Sequence, residues 1–258
     1  MCLLLISYNT HPEYPLIVAA NRDEFYDRPT RKADFWKDYP ELLAGKDLEA
    51  GGTWLGITKS GRFAAITNYR DMNNIKKNVP SRGKLTLNFL ISGIPPVKYG
   101  YSLSEKAKEY NGYNLLFSDL ETMYYFSNQT MESRQLSPGV YGLSNHLLDT
   151  PWPKVIKGKD SFLKATGSKK ISEESLFEIL SDDREAPDDQ LPETGLTREL
   201  ERAVSPVFIK SDKYGTRSST ILLVNNINNV LFVERALNTE SGDWQESRFE
   251  FNLKYKIR

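Results

Sequence analysis

Pairs of apolar runs, each joined by a short turn-forming segment, are the feature that most constrains the fold of this 258-residue chain. Such pairs predict antiparallel β-hairpins, because two short strands joined by a few turn residues pair most simply with each other. Residues 248–253 alternate in polarity and predict an edge strand. The predicted hairpins comprise residues 2–8 with 15–21, 53–57 with 63–68, 114–118 with 123–126, and 219–224 with 230–234.

Helical patterns occupy the middle of the chain. Four helices are predicted to begin at the cap residues Ser81, Ser102, Ser172 and Thr197, and a fifth covers residues 153–163 with a proline in its first turn. Hairpins at both ends with helices between them predict antiparallel sheets with helices packed outside. The acidic residues 181–195, which include two prolines, predict a surface loop rather than a domain boundary, so we expect one domain over residues 1–258.

The charge balance argues against a nucleic-acid partner. The chain has 34 basic and 34 acidic residues, whereas binding to phosphates needs a clustered excess of lysine and arginine. No apolar run reaches the roughly 20 residues that a membrane span requires, and residues 1–6 are too short for a signal peptide. The lack of a targeting segment and of disulfides predicts a cytoplasmic protein. We expect its partner to be a small-molecule substrate or ligand.

Cysteine and histidine are scarce. The chain has one cysteine and two histidines, which excludes internal disulfides and the usual cysteine zinc sites and nearly excludes a Ser-His-Asp triad. We therefore expect neither a metal nor a cofactor, and an enzyme built from this sequence must find its general base outside a histidine cluster.

Cys2 offers such a base. Removal of Met1, which is usual before a small second residue, leaves a free α-amine on the residue that carries the thiol. The two groups have ordinary pKa values of about 7.7–8.0 and about 8.5, so the amine can accept the thiol proton and later return it. The alternative is a small apolar residue that opens an inner strand.

Four polar residues, Asn21, Arg22, Asp23 and Glu24, directly follow the second apolar run. They form either a solvated strand end or turn, or a functional group that the hairpin brings beside the start of the chain. In the second case Arg22 would lower the pKa of the thiol, and Asp23 would hold the α-ammonium.

Other polar residues lie at strand ends. Asn68 and Asn145 close predicted strands and Arg217 opens one; such groups either satisfy the backbone there or, for the amides, stabilise an oxyanion. Trp54, after the turn-forming Gly51 and Gly52, is a core residue or the wall of a pocket. His11 and His146 are surface or packing residues.

With these residues in view, the chain resembles the NRDE family, also called the transport-and-Golgi-organisation family. The resemblance is carried, in order, by the motifs Met1-Cys2, NRDE at 21–24, Arg28-Pro29, GGTWLG at 51–56, Asn68 in ITNYRD, GLSNHLLDTPWPK at 142–154 and YGTRSSTILLV at 214–224. It implies an N-terminal nucleophile hydrolase fold, similar to that of choloylglycine hydrolases and penicillin V acylases. The expected fold is thus a single α/β (α+β) domain, a four-layer αββα sandwich of two antiparallel sheets between helices.

The resemblance also implies roles for individual residues. Cys2 would be nucleophile and base, Arg22 and Asp23 would support it, with Asn21 and Glu24 as an alternative alignment, and Arg217 would be a second arginine near the nucleophile. Asn68 and Asn145 would form the oxyanion hole, and the substrate would contact Asn21, Glu24, Trp54 and Tyr69. The expected reaction is hydrolysis of a carbon–nitrogen bond, most simply a linear amide.

A carrier of haem or of a lipid or acyl ligand, using the same cleft, is the alternative function. Animal members of the family are linked to Golgi organisation, and roles in haem trafficking have been proposed for it. Cys2 or His146 would then be the axial ligand of the haem iron.

Overall fold

A computed structural model describes residues 2–254 and contains thirteen strands and five α-helices within them. The strands are β1 (Cys2–Tyr8), β2 (Leu16–Phe25), β3 (Thr30–Phe35), β4 (Leu42–Asp47), β5 (Leu55–Thr58), β6 (Phe63–Asn68), β7 (Tyr113–Ser118), β8 (Met123–Ser127), β9 (Glu132–Gln135), β10 (Gly139–Leu143), β11 (Tyr214–Val224), β12 (Asn229–Leu237) and β13 (Trp244–Asn252). The helices are α1 (Gly83–Ile91), α2 (Pro96–Lys106), α3 (Pro153–Thr166), α4 (Glu173–Leu180) and α5 (Arg198–Ala203).

The strands form two antiparallel sheets. The six-stranded sheet has the order β10-β1-β2-β11-β12-β13, and the seven-stranded sheet runs β3-β4-β5-β6-β7-β8-β9. Because side chains alternate between the two faces of a strand, Leu4 and Ile6 of β1 pack between the sheets, whereas Leu3 and Leu5 pack against α3 and α4. The outer face of the seven-stranded sheet packs on α1 and α2. The layers are therefore helix, sheet, sheet and helix, which confirms the predicted fold class.

The predicted hairpins all form, and residues 2–8 pair with β2 as expected. The interpretation of residues 21–24 as a strand end or turn is wrong, because β2 continues to Phe25. The reason is β11, which pairs with β2 on its other side as far as Tyr214, opposite Phe25. This second partner keeps the polar residues in the strand.

Several elements differ from the prediction. β3, β4 and β9 were not predicted, since β3 and β9 are polar edge strands and β4 (LLAGKD) lacks clear alternation. The helix predicted from Ser102 instead begins at Pro96, whose fixed φ suits a first helical turn. The caps at Ser172 and Thr197 are confirmed, each side chain accepting a backbone N–H. Within the described residues, no helix is both long and apolar enough to cross a membrane.

Candidate active site

Cys2 lies at the open end of the β1–β2 hairpin, directly opposite Arg22. Residues directly opposed in an antiparallel pair share a face, and this is the face on which Leu4 and Ile6 point between the sheets. Cys2 is half-buried as a residue. Cys2 therefore lies beside Arg22 at the end of the sheet, with its thiol largely withdrawn from water.

The pKa of this thiol is raised overall, because burial outweighs the groups that favour the thiolate. Burial raises the pKa of Cys2, and the Asp23 carboxylate raises it further. A hydrogen bond from the Asp23 backbone and the Arg22 charge lower the pKa, but burial outweighs them. Arg22 therefore lowers the thiol pKa as predicted, but its effect is smaller than that of burial. At neutral pH the thiol therefore needs a base.

Arg22 is held between the two sheets. Its guanidinium carbon lies 4.1 Å from the centre of the Trp54 ring, and Nη1 donates to Thr30 Oγ1 at 3.2 Å. Arg22 Nη2 and Arg28 Nε each lie 3.7 Å from Glu24 Oε2. The structure thus brings Arg22, Glu24 and Trp54 together on the thiol side of the six-stranded sheet.

Asn21 and Asp23 project from the opposite face of β2, towards the helices. Asn21 Nδ2 donates to the carbonyls of Leu180 and Val207, both at 2.8 Å, and its Oδ1 accepts from Ser219 Oγ at 2.7 Å. The Asn21 amide is committed to these buried bonds and does not share the face of Cys2. Neither Arg22 with Asp23 nor Asn21 with Glu24 projects from a single face.

The Asp23 carboxylate is buried with a lysine. It accepts from Thr216 Oγ1 at 2.7 Å, and burial raises its pKa while the Lys154 ammonium opposes that rise. Lys154 Nζ donates to the Val204 carbonyl at 3.0 Å, and burial lowers the pKa of Lys154 to about 8. Sequence reasoning missed Lys154, although it is the last residue of the GLSNHLLDTPWPK motif.

The two predicted oxyanion residues, Asn68 and Asn145, are hydrogen-bonded to each other, and the neighbour of Asn145, Ser144, is hydrogen-bonded to the start of β1. Ser144 Oγ donates to the Cys2 carbonyl at 3.0 Å, and Asn145 Nδ2 donates to the Asn68 carbonyl at 3.0 Å. Asn145 is fully buried, whereas Asn68 at the end of β6 is half-buried. The Asn145 amide therefore fixes the backbone at the end of β6 through one of its two N–H groups.

Tyr69 is coupled to His146. Tyr69 Oη and His146 Nε2 lie 2.8 Å apart, and His146 Nδ1 lies 2.8 Å from Thr150 Oγ1. Both ring nitrogens of His146 are therefore hydrogen-bonded. Ligation of a haem iron by His146 would break one of these bonds, so the geometry gives that alternative no support.

Arg217 occupies the irregularity in β11, where the register with β2 shifts between Thr216 and Ser218. Its Nη1 donates to the carbonyls of Phe25 at 2.8 Å, Tyr26 at 3.2 Å and Arg28 at 3.0 Å. Arg217 therefore fixes the segment that follows β2.

Cys2 lines neither of two cavities in the described structure. One of about 250 Å³ is lined by Lys154, Arg184 and Val207 on the helix side of the six-stranded sheet, and one of about 500 Å³ is lined by Asn73, Gly195 and Glu201 among others. In the part of the chain that the structure describes, no group of three His, Cys, Asp or Glu residues could hold a metal ion.

Comparison with known proteins decides the family. Residues 1–239 match the family model described as Transport and Golgi organisation 2. The chain belongs to this family. Its Transport and Golgi organisation 2 relatives include a homologue in Mus musculus and one in Homo sapiens, each 36% identical, with 98% of this chain and 99% of each relative covered. The relative in Drosophila melanogaster is 26% identical over 97% of this chain and 98% of that protein.

Solved structures extend the comparison to the fold of the chain. It is similar to the C2A mutant of conjugated bile acid hydrolase from Clostridium perfringens, with a TM-score of 0.52 and 11% identity over 100% of this chain and 95% of that one. An N-acylethanolamine-hydrolyzing acid amidase orthologue from Caenorhabditis elegans gives a TM-score of 0.49 at 11% identity, over 86% of this chain and 92% of that one. The first likeness shows a shared fold, in which two antiparallel sheets are flanked by helices.

Proposed function

We propose that this protein is an N-terminal nucleophile hydrolase that cleaves the carbon–nitrogen bond of a small linear amide. The observation that carries the proposal is the register of β1 and β2, which sets the half-buried Cys2 opposite Arg22 at an open sheet end. The fold shared with a conjugated bile acid hydrolase supports the same chemistry.

The reaction begins once Met1 has been removed. The α-amine of Cys2 takes the thiol proton, and the sulfur attacks the amide carbonyl carbon. The oxygen becomes negatively charged and is stabilised by the amides of Asn68 and Asn145. The α-ammonium then gives its proton to the departing amine, which leaves a thioester on Cys2. Water, deprotonated by the same α-amine, attacks the thioester, and the acid leaves as the thiol regains its proton.

The surrounding charges support these steps. Arg22 stabilises the thiolate, whose formation burial otherwise opposes. Asp23 supplies the negative charge that holds the α-ammonium, while Lys154 opposes the rise of the Asp23 pKa. Glu24 holds both Arg22 and Arg28 at 3.7 Å.

A panel of acyl p-nitroanilides tests the proposal, with intact-mass measurement of the first residue before the assay. We expect turnover by protein that begins at Cys2, and none by Cys2→Ala or by protein that retains Met1. Cys2→Ser should keep a slow residual activity, because the α-amine remains while the nucleophile is weaker. Undiminished turnover by Cys2→Ala or by the form with Met1 would overturn the mechanism.

A further inference from the structure

Arg82 is a cation that the proposed mechanism does not use. It precedes α1 and is half-buried. Its Nη1 donates to the Gly112 carbonyl at 3.0 Å. No carboxylate lies within 4.0 Å of it among residues 2–254. The remaining N–H groups of its guanidinium are therefore not used by an ion pair and can donate to an anion.

Backbone contacts on one side connect Arg82 to the Arg22 side of the thiol. A Cβ on Gly52 would lie only 2.4 Å from the carbonyl carbon of Gly83, so these two backbones touch. The next residue, Thr53, donates its N–H to the Gly83 carbonyl at 3.2 Å. Trp54 follows Thr53, and the Arg22 guanidinium stacks on its ring.

Contacts on the other side connect Arg82 to the oxyanion residues. The Gly112 carbonyl that accepts from Arg82 also accepts the N–H of Tyr69 at 2.9 Å. Tyr69 follows Asn68, whose carbonyl is held by Asn145. Arg82 therefore lies beside both halves of the site. Burial lowers the pKa of Arg82, while Glu24 and Cys2 raise it, which agrees with a position close to the thiol.

The other charges near the thiol largely cancel. Arg28 binds Asp47 Oδ2 through Nε at 3.2 Å and Nη2 at 2.8 Å, and Arg22 has Glu24 nearby. Arg217 is buried, bonds to neutral carbonyls, and its Nε has no partner within the described part of the chain. The excess positive charge on the site is therefore that of Arg82 and Arg217.

We propose that Arg82 binds a negatively charged group of the substrate, a carboxylate or a phosphate, next to Cys2. A guanidinium edge matches two oxygens of either group. This inference rests on the proposed function and adds the class of substrate to it: an amide whose acyl or amine part carries an anionic substituent.

Two alkylating reagents of nearly equal size test the charge preference without a known substrate. Iodoacetate is anionic and iodoacetamide is neutral, and Cys2 is the one thiol in the chain, so intact mass gives each rate at neutral pH. We expect the ratio of iodoacetate to iodoacetamide rates to exceed that of N-acetylcysteine amide by about tenfold, the low end of what a cleft of one charge sign supplies. The excess should shrink as salt rises.

Variants assign the effect to Arg82. We expect Arg82→Gln to remove most of the excess with the iodoacetamide rate little changed, and Arg82→Lys to retain part of it. Arg62→Gln is the matched control, because Arg62 also contacts α1 but donates to the Phe89 carbonyl on the outer face of the seven-stranded sheet. Acetate and inorganic phosphate at equal ionic strength then compete with iodoacetate, and the stronger competitor identifies the anionic group.

The outcomes separate the two proposals. Suppose that iodoacetamide reacts at a normal rate, and that the ratio of the iodoacetate rate to the iodoacetamide rate is the same in wild type, Arg82→Gln and the model thiol. That result overturns the proposal of an anionic substrate and leaves the hydrolase proposal standing. Complete resistance of the native protein to iodoacetamide overturns both, because no substrate could then reach the sulfur.

Discussion

At the scale of single residues, the site is organised by the two-residue period of a strand. Residues 21–24 alternate, so Arg22 reaches Trp54 between the sheets while Asn21 reaches the Leu180 carbonyl among the helices. The sequence indicated that these polar residues meet Cys2. It did not indicate their faces, because the polar tetrapeptide looked like the end of β2 and only pairing with β11 keeps it extended.

The position of the Trp54 ring, on which Arg22 stacks, depends on Gly45. A Cβ on Gly45 would lie 2.2 Å from the Trp54 ring, so we expect Gly45→Ala to displace the indole and cost about 1–3 kcal/mol, as overpacking does. Urea unfolding and tryptophan fluorescence measure the two effects, and Cys2 alkylation should change as Arg22 loses its support. Gly93→Ala is the control, since a Cβ there meets nothing within 4 Å. Equal behaviour of the two variants would show that Trp54 does not depend on Gly45.

At the scale of secondary-structure elements, the sequence predicted what is local and missed what is set by distant partners. The hairpins and the caps of α4 and α5 follow from neighbouring residues and are confirmed. The polar edge strand β9 could not be predicted, because its strand form depends on pairing with β8 rather than on its own residues. Arg82 and Lys154 were missed for the same reason, since their place near the site depends on contacts far along the chain.

Substitution of Asn21 tests whether this residue stabilises β2 in the fold or acts directly on the thiol. Because its amide joins β2 to the end of α4 and to Val207, we expect Asn21→Ala to lower the free energy of unfolding by about 3 kcal/mol through unsatisfied buried groups. The iodoacetamide rate at Cys2 should stay nearly unchanged. Arg22→Gln, in contrast, should change the thiol itself. We expect it to raise the pKa of Cys2, as measured by the pH dependence of alkylation. Loss of thiol reactivity in folded Asn21→Ala would contradict this assignment.

At the scale of the whole molecule, the two sheets are joined by a polar contact as well as by their shared apolar core. Glu234 on β12 accepts the N–H of Ala33 on β3 at 2.6 Å and is fully buried. Burial raises the pKa of Glu234 to about 7, partly opposed by the Ala33 hydrogen bond and by Arg22. The contact between sheets and the charge around the site are therefore coupled through one carboxyl group.

This coupling gives the fold a pH dependence. The folded state holds a proton on Glu234 that the unfolded chain loses near pH 4.5, so the stabilisation is complete below that pH and is lost as the pH rises to about 7. Glutamine keeps an acceptor for the Ala33 N–H but does not titrate. We expect Glu234→Gln to gain about 3 kcal/mol relative to wild type between pH 4.5 and pH 8, as measured by urea unfolding. Parallel stability curves for Glu234→Gln and wild type over this range would contradict the prediction, because they would show that folding does not shift the pKa of Glu234.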